Sequence, residues 1–439
     1  MAKKKEASAN LFVPAEEQPY PIPKNWCWAY LTGFAECLDS FRKPINATER
    51  AGRSGTVPYY GATGQVGWID DFLTDEQLVL VGEDGAPFLD RMKDKAYMIE
   101  GKAWVNNHAH ILRSYFGSIG NFYLLNYLNC FDYSEYVNGT TRLKLTQSSM
   151  NTIPIPIAPL PEQHRIVSRI ESLFVKLDEA KEKAKAVVDG FELRKSVILH
   201  KAFTGELTER WRKEHGVWLD SWEVIPLGNL ILSGPQNGLY KPKDAYGSGI
   251  KILRIDGFYD GYVEAWETLK RLTLSVTEIK LYELHLDEIV INRVNSMPYL
   301  GKSALIRELP ETCVFESNMM RISLNKERII PEFMIRYLNS QVGLAELRKN
   351  AKQAVNQASI NQKDVKSVIV KLPFLDEQEE IVRILDSLLT REQQAKEAAE
   401  AVLAQIDTMQ KAILARAFRG ELGTNDPAEE WAGELVKER

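Results

Sequence analysis

Two short stretches hold the side chains best suited to reading a nucleic acid. In "KAWVNNHAH", Asn106, Asn107, His108 and His110 fall within five positions. An Asn amide can pair bidentately with adenine N6 and N7, and an imidazole can reach a phosphate or a base edge. Read as one strand, the stretch puts His108 and His110 on a common face. Three uses fit it: base or phosphate contact, a structural turn, or a metal site, for which no third ligand is visible in sequence. In "INRVNS", Arg293, Asn295 and Ser296 precede Lys302 across a turn, and Arg254 lies upstream in "IKILRIDG". Arg reads guanine, and Lys and Ser hold phosphates. "YYGATG" offers Tyr59 or Tyr60 for base stacking and Thr63 for a phosphate, and an ordinary turn explains it equally well.

Catalytic patterns are missing where they would be expected. "GKS" at 301–303 resembles the end of a phosphate-binding loop, but the first glycine of that motif would fall on Ser296. "GATGQVG" at 61–67 is not G-x-G-x-x-G, and no Asn/Asp-Pro-Pro-aromatic tetrapeptide is present to hold a flipped base. Asp90, Glu100 and Lys102 have a spacing that a metal-dependent nuclease could use, but "EGK" runs straight into the Asn/His stretch. The four cysteines form no C-x-x-C and fit neither a zinc site nor a disulfide framework. The expectation is no catalytic residue, no metal and no cofactor in this chain, in a reducing cytoplasm.

Charge sharpens this. The net charge of −5 argues against coating nucleic acid non-specifically. Residues 374–439 hold 8 Lys and Arg against 15 Asp and Glu, whereas 222–373 hold 20 against 17, so the middle block is the better local candidate for a phosphate surface. No apolar run approaches ~18 residues, which predicts no membrane span. "MAKKKEASAN" is basic with no apolar stretch behind it, so it does not read as a secretory signal.

The elements that position these residues are duplicated. "AFTGEL" begins at Ala202 and "AFRGEL" at Ala417, and 417 − 202 = 215. The same offset lays "LPEQHRIVSRIESL" (160–173) on "LDEQEEIVRILDSL" (375–388), and Gln147 on Gln362. Each copy predicts one long helix. Ile166, Ile170, Leu173, Leu177, Ala180, Ala184, Val187 and Phe191 recur at steps of 4 and 3, the seam of a coiled coil. Ile381, Leu385, Leu388, Ala395, Ala399, Val402, Ile406, Met409 and Ile413 continue the theme in the second copy, with Glu392 interrupting it. Pro161 suits a first helical turn, and Gly205 and Gly420 suit helix stops. From Glu162 to Phe203 a helix would run ~60 Å at 1.5 Å per residue. Each seam's natural partner is its duplicate, and a two-fold axis perpendicular to the helices makes the pair antiparallel.

The blocks between the helices rhyme at their edges and differ inside. "NWCWAYL" (25–31) matches "SWEVIPL" (221–227), and "NYLN" (126–129) matches "RYLN" (336–339). The interiors read as unrelated short strands broken by Gly, Asn and Asp turns.

With these motifs in view, the chain resembles the specificity subunit of type I restriction–modification systems. The resemblance rests on "PLPEQHRIVSRIESL" with "AFTGEL", their second copies, "YYGATG", "WVNNHAH" and "NRVNS…GKSALI", and runs from Trp26 to Leu422. It implies an α+β fold: two globular α/β target-recognition domains separated by two long antiparallel coiled-coil helices, with an internal pseudo-two-fold repeat. The expected division is a flexible tail (1–24), recognition domain one (25–158), a helical spacer (159–215), recognition domain two (216–373), a second spacer (374–422) and an acidic tail (423–439). Each domain would read one half of a split, asymmetric double-stranded DNA site. The helices would set the spacer and dock two methyltransferase subunits, with two restriction–translocase subunits completing the complex. S-adenosylmethionine, ATP and Mg²⁺ would belong to those partners. Ile166, Ile170, Leu173, Leu177, Phe203, Leu207, Ile381, Leu385, Leu388, Phe418 and Leu422 are the expected scaffold and subunit contacts. The competing expectation is a coiled-coil scaffold that reads no DNA.

Overall fold

The computed structural model describes residues 11–259, 261–263, 265–355 and 357–439. The chain divides into two compact units, Met1–Lys185 with Glu400–Arg439, and Ala186–Ala399. Both divisions fall inside helices: Leu160–Asp189 and Leu375–Ala417.

The first unit is framed by a strand pair, Cys27–Tyr30 against Pro154–Ile157. Pro154 and Pro156 are tolerated because Pro154–Ile157 pairs on one side only, leaving it an outer edge that needs no donor. Inside the frame, an antiparallel sheet runs in the order Ala35–Cys37, Ala109–Ser114, Leu78–Gly82, Ala96–Ile99. The continuous apolar run Leu78–Gly82 is buried throughout because it is an inner strand covered on both faces. The helix Gly117–Leu128 packs on this sheet, and a second sheet is built on Val57–Gly61.

The second unit repeats the frame. Glu223–Pro226 pairs with Ile369–Leu372 in the same antiparallel register. Its interior is different: a six-stranded sheet, a three-stranded sheet around Tyr246–Leu253, and a small sheet made by Val294–Asn295, Gln357–Ser359 and Lys352–Ala354.

The duplicated segments form equivalent contacts in the two units. The buried Glu162 accepts from the Trp26 indole N–H at 2.7 Å, and the buried Glu377 from Trp222 at 2.9 Å. Gln163 donates to the Ala158 carbonyl, and Gln378 to the Pro373 carbonyl, both at 2.9 Å. Phe418 of "AFRGEL" packs edge-on against Tyr123 and Tyr127 (centroids 5.0 and 5.1 Å). Phe203 of "AFTGEL" does the same to Phe333 and Tyr337 (5.5 and 5.2 Å). The hexapeptide is thus a plug that seats each helix end in a globular core. Within it, Gly205 (φ +84°) and Gly420 (φ +73°) turn the chain two residues after the Phe, in backbone that only glycine adopts freely.

The helical segments run antiparallel within each unit. In the first, Lys181 pairs with Asp407 while Ile166 and Ile170 share a core with Leu414 and Ala417. In the second, Arg194 pairs with Glu392 at 2.6 Å while Leu199 and Phe203 share a core with Ile381 and Leu385.

Four expectations are corrected. The first helix is not continuous from 162 to 203: it breaks at Gly190 and resumes as Phe191–Phe203. There the Arg194 guanidinium donates to the Val187 carbonyl at 2.8 Å, the acceptor that residue 191 would use in an unbroken helix. The second seam is also displaced. Ala395, Val402 and Met409 are exposed, and the inward positions are Glu392, Lys396, Ala399, Leu403 and Ile406. Two of these are charged: Glu392 is held by Arg194, and Lys396 lies over the Phe191 ring at 4.8 Å. An apolar tally therefore picks the neighbouring positions. The contact residues Ile166, Ile170, Phe203, Ile381, Leu385 and Phe418 are buried in their own unit's core, so they are scaffold contacts rather than subunit surfaces. Leu173, Leu177 and Leu388 are half-buried, and Leu207 and Leu422 pack at the core margins.

The fourth correction concerns the two tails. Residues 1–10 lie outside the described residues, but Val13 is buried and its N–H donates to Trp28 O at 3.0 Å. At the other end Ala432 and Val436 are buried, Asn425 donates to Glu162 at 2.9 Å, and Trp431 stacks on Phe12. Arg165 grips Glu429 through two hydrogen bonds of 2.8 Å. The acidic tail docks because its apolar residues and its carboxylates both find partners. Among the described residues, no helix is long and apolar enough to cross a membrane.

Candidate nucleic-acid interface

In the first unit, four loops meet at one end. Asn106 N–H donates to Tyr60 O (3.1 Å), Glu83 N–H to His108 O (2.8 Å) and Leu145 N–H to Glu83 O (2.7 Å), while Tyr97 Oη donates to Gly61 O. These bonds gather 60–64, 82–85, 106–109 and 139–145. Asn106–His108 is the turn between Lys102–Val105 and Ala109–Ser114, so His108 and His110 do not lie on one strand.

The polar groups here form a paired network with cations outermost. Asp84 bonds His108 Nδ1 (2.8 Å) and Arg142 (2.6 Å), and Glu83 bonds Lys144 (2.9 Å) and Arg42. Burial alone would raise the Glu83 carboxyl, but hydrogen bonds from Arg42 and Lys144 outweigh it and hold the group below its ordinary value. The side chains of Arg142 and Lys144 are 61% and 51% exposed, so the outward charge of the patch is positive.

Several sequence candidates are excluded from contact by burial. Tyr59 is 1% exposed and lies against the Arg50 guanidinium, so its ring cannot stack on a base. Asn106 is buried, and its Oδ1 accepts from His108 N–H at 2.8 Å, so it builds the turn. His110 is fully buried, with Nδ1 on Asp39 (2.6 Å) and Nε2 donating to Leu145 O (2.9 Å). Tyr60 is half-buried with its ring 5.9 Å from that of Tyr97, leaving Thr63, Asn107 and His108 accessible.

Cys37, Asp39 and His110 hold potential metal-ligand atoms within 4.8 Å of one another. Their chemistry does not suit a metal. Both imidazole nitrogens are engaged, Gln147 donates to Cys37 Sγ at 3.2 Å, and burial pushes the Cys37 thiol up to about 11, away from the thiolate a metal requires.

In the second unit, an open cleft of about 430 Å³ is lined by Asn237, Arg293, Asn361, Gln362 and Lys363. The hairpin Lys352–Ala354/Gln357–Ser359 adds its strand to Val294–Asn295, and Val355 at the hairpin tip is 93% exposed. Arg293 donates to Ser317 O (3.1 Å), and Arg254 lies 3.8 Å from Glu316, so the two cations contact adjacent residues of one loop. Asn295 accepts from Ser296 N–H and shapes the turn. Lys302 is elsewhere: it lines a cavity against the helix Phe191–Phe203.

Arg142, Lys144, Asn237, Gln362 and Lys363 are accessible polar groups that motif reading misses, and the mostly buried Arg42 supports Glu83 from behind. The offset of 215 points to Arg142, Lys144, Gln362 and Lys363: it lays the hairpin Val137–Leu145 on 352–360, which holds the strands Lys352–Ala354 and Gln357–Ser359. Each hairpin precedes a short helix beginning at Gln147 or Gln362.

The type I restriction modification DNA specificity domain matches this chain twice, at residues 23–188 and 220–401. The chain belongs to that family. The two matches coincide with the two framed repeats. Among curated relatives, the EcoKI specificity subunit of Escherichia coli K12 is 29% identical over 281 residues, 63% of this chain and 59% of that protein. The chain's match therefore spans about three fifths of that relative's length. The EcoDI specificity subunit of Escherichia coli is 23% identical over 391 residues, covering 85% of this chain and 84% of that protein. The crystal structure of the HsdS subunit from Thermoanaerobacter tengcongensis superposes with a TM-score of 0.62 at 19% identity, covering 92% of this chain and 100% of that one. At that identity the likeness speaks for the family fold.

Proposed function

We propose that this chain is the sequence-specificity subunit of a type I restriction–modification complex, and that it reads DNA without catalysing a reaction. Each unit reads one half of a bipartite, asymmetric site. The helices set the number of unread base pairs and dock methyltransferase and restriction–translocase subunits. S-adenosylmethionine, ATP and Mg²⁺ belong to those partners.

One observation supports this reading above the rest. Two frames with matching strand register and matching Trp–Glu, Gln–carbonyl and Phe–aromatic contacts close around sheets of different order and loops that carry different side chains. A conserved-in-duplicate holder with unlike contents is what two half-site readers on one chain require. Exposed Arg142, Lys144 and Lys363 suit phosphates, while the Asn and Gln amides suit base edges.

The test is a gel-shift competition with the methyltransferase subunit present, between duplexes carrying the methylated host sequence and random duplexes. Preferential retention of the specific duplex is expected. Equal competition by both would leave the scaffold reading in its place.

A further inference from the structure

The hairpin Lys352–Ala354/Gln357–Ser359 of the second unit is built as a finger. Its base is fixed. Gln357–Ser359 pairs with Val294–Asn295, Ala358 and Ile360 are buried in the core, and Ile360 N–H donates to Arg293 O at 2.9 Å. Its far end stands in water. Lys352, Ala354 and Gln357 share the face opposite Gln353 and Ala358, and of these five only Ala358 is not exposed. Val355 follows at the tip with 93% of its surface accessible. Single exposed aliphatic residues are common on proteins, so the meaning of Val355 comes from what surrounds it.

Charge, dimensions and groove chemistry converge on that side chain. Between 348 and 366, Arg348, Lys349, Lys352, Lys363 and Lys366 stand against one carboxylate, Asp364, which is buried and accepts from the Asn361 N–H at 2.7 Å. The finger therefore rises from a cationic surface, beside the cleft of Arg293 and Lys363, which suits a polyanion. From Lys352 to Val355 the chain reaches ~10 Å at ~3.3 Å per residue. A two-stranded ribbon of that reach enters the major groove, ~12 Å wide and ~8.5 Å deep, and is too broad for the ~6 Å minor groove. In the major groove the apolar group that marks one base is the C5-methyl of thymine.

We propose that Val355 is a specificity-determining residue that packs on the C5-methyl group of a thymine in one half-site. This inference rests on the DNA-reading function proposed above and names a base for it. The amides of Gln353 and Gln357 flank the tip and suit adenine N6 and N7 of the same or a neighbouring pair, and Lys352 suits a phosphate at the groove edge.

The test replaces each thymine of both half-sites, one at a time, by uracil, which keeps the base pair and lacks only the methyl group. Competition is measured with unmethylated duplexes on the complex assembled with its methyltransferase subunit. One uracil should weaken binding about fourfold, the worth of one buried methyl-sized group. Val355→Ala should weaken the thymine duplex about as much, bind that uracil duplex no worse than the thymine one, and leave random duplexes and the melting temperature unchanged. The proposal is overturned if no uracil weakens the parent, if Val355→Ala still distinguishes thymine from uracil at the sensitive position, or if neither half-site contains an A·T pair. Equal competition by specific and random duplexes, before any uracil is introduced, would remove DNA reading and this inference with it. A sequence preference that no uracil alters would remove this inference alone.

Discussion

The carboxylate of Glu377, fully buried, accepts from the indole of Trp222 at 2.9 Å and from the guanidinium of Arg212 at 2.6 Å. Thr208 supplies a third donor at 2.6 Å. Glu162 repeats the arrangement with Trp26, Asn425 and Thr424, but without a cation. The start of each helix is thereby locked to the strand that opens the globular block and to the segment that follows the hexapeptide.

Removing Glu377 strands a buried Arg212. Glu377→Ala should cost about 3–5 kcal/mol in urea unfolding of the full chain. Glu162→Ala strands only neutral donors and should cost about 1–3 kcal/mol. Equal losses for the two variants would contradict the role assigned to the Arg212 charge.

Acid should weaken the first unit through Asp39. Burial on its own would raise this carboxyl, but the bond to His110 and its charge, the Ile111 N–H and the Arg42 charge bring it below its ordinary value. A folded-state pKa below the unfolded one stabilises at pH above the unfolded value, about 3.9, and that contribution disappears as pH falls through the folded value. Asp39→Asn should therefore destabilise at pH 7, with the gap to the parent closing as pH drops below about 4. Circular dichroism melts across pH 3–7 check this, and a gap that widens in acid would refute it.

The glycine inside the second hexapeptide should resist substitution for two separate reasons, and Gly216, which ends the helix Glu209–His215, isolates one of them. A Cβ on Gly420 would come 2.4 Å from Pro23 Cγ in addition to the strain of φ +73°. Gly216 has φ +66° but open space around it. Gly216→Ala should cost about 1 kcal/mol, and Gly420→Ala about 2–4 kcal/mol, by thermal or urea unfolding. Similar costs at the two sites would show that Pro23 moves aside freely.

Arg142 is assigned to a phosphate, not to a base. In the assembled complex, Arg142→Ala should weaken specific and random duplexes by a similar factor and reduce the salt slope by about one. A loss confined to one base in the methylated sequence, read from the methylation pattern of host DNA, would make Arg142 a base reader.

The sequence by itself determines the duplicated frame. Ungapped identity at an offset of 215 and a helical apolar period are properties of the chain order, and the Trp–Glu contact of each frame uses residue types that recur in both copies. Glycines at 205 and 420 mark the helix stops because the required φ is a local constraint. Which polar residues face solvent is decided only by tertiary structure. Asn106 and His110 differ little from Asn107 and His108 in type and spacing, but backbone bonds from 60–64, 82–85 and 139–145 bury the first two and leave the others open. The break at Gly190 and the shifted second seam are tertiary too. They depend on Arg194 reaching both Val187 O and Glu392, which stand at quite different distances along the chain. Local pattern fixes which faces are apolar, while long-range hydrogen bonds and ion pairs choose which charged side chains those faces admit.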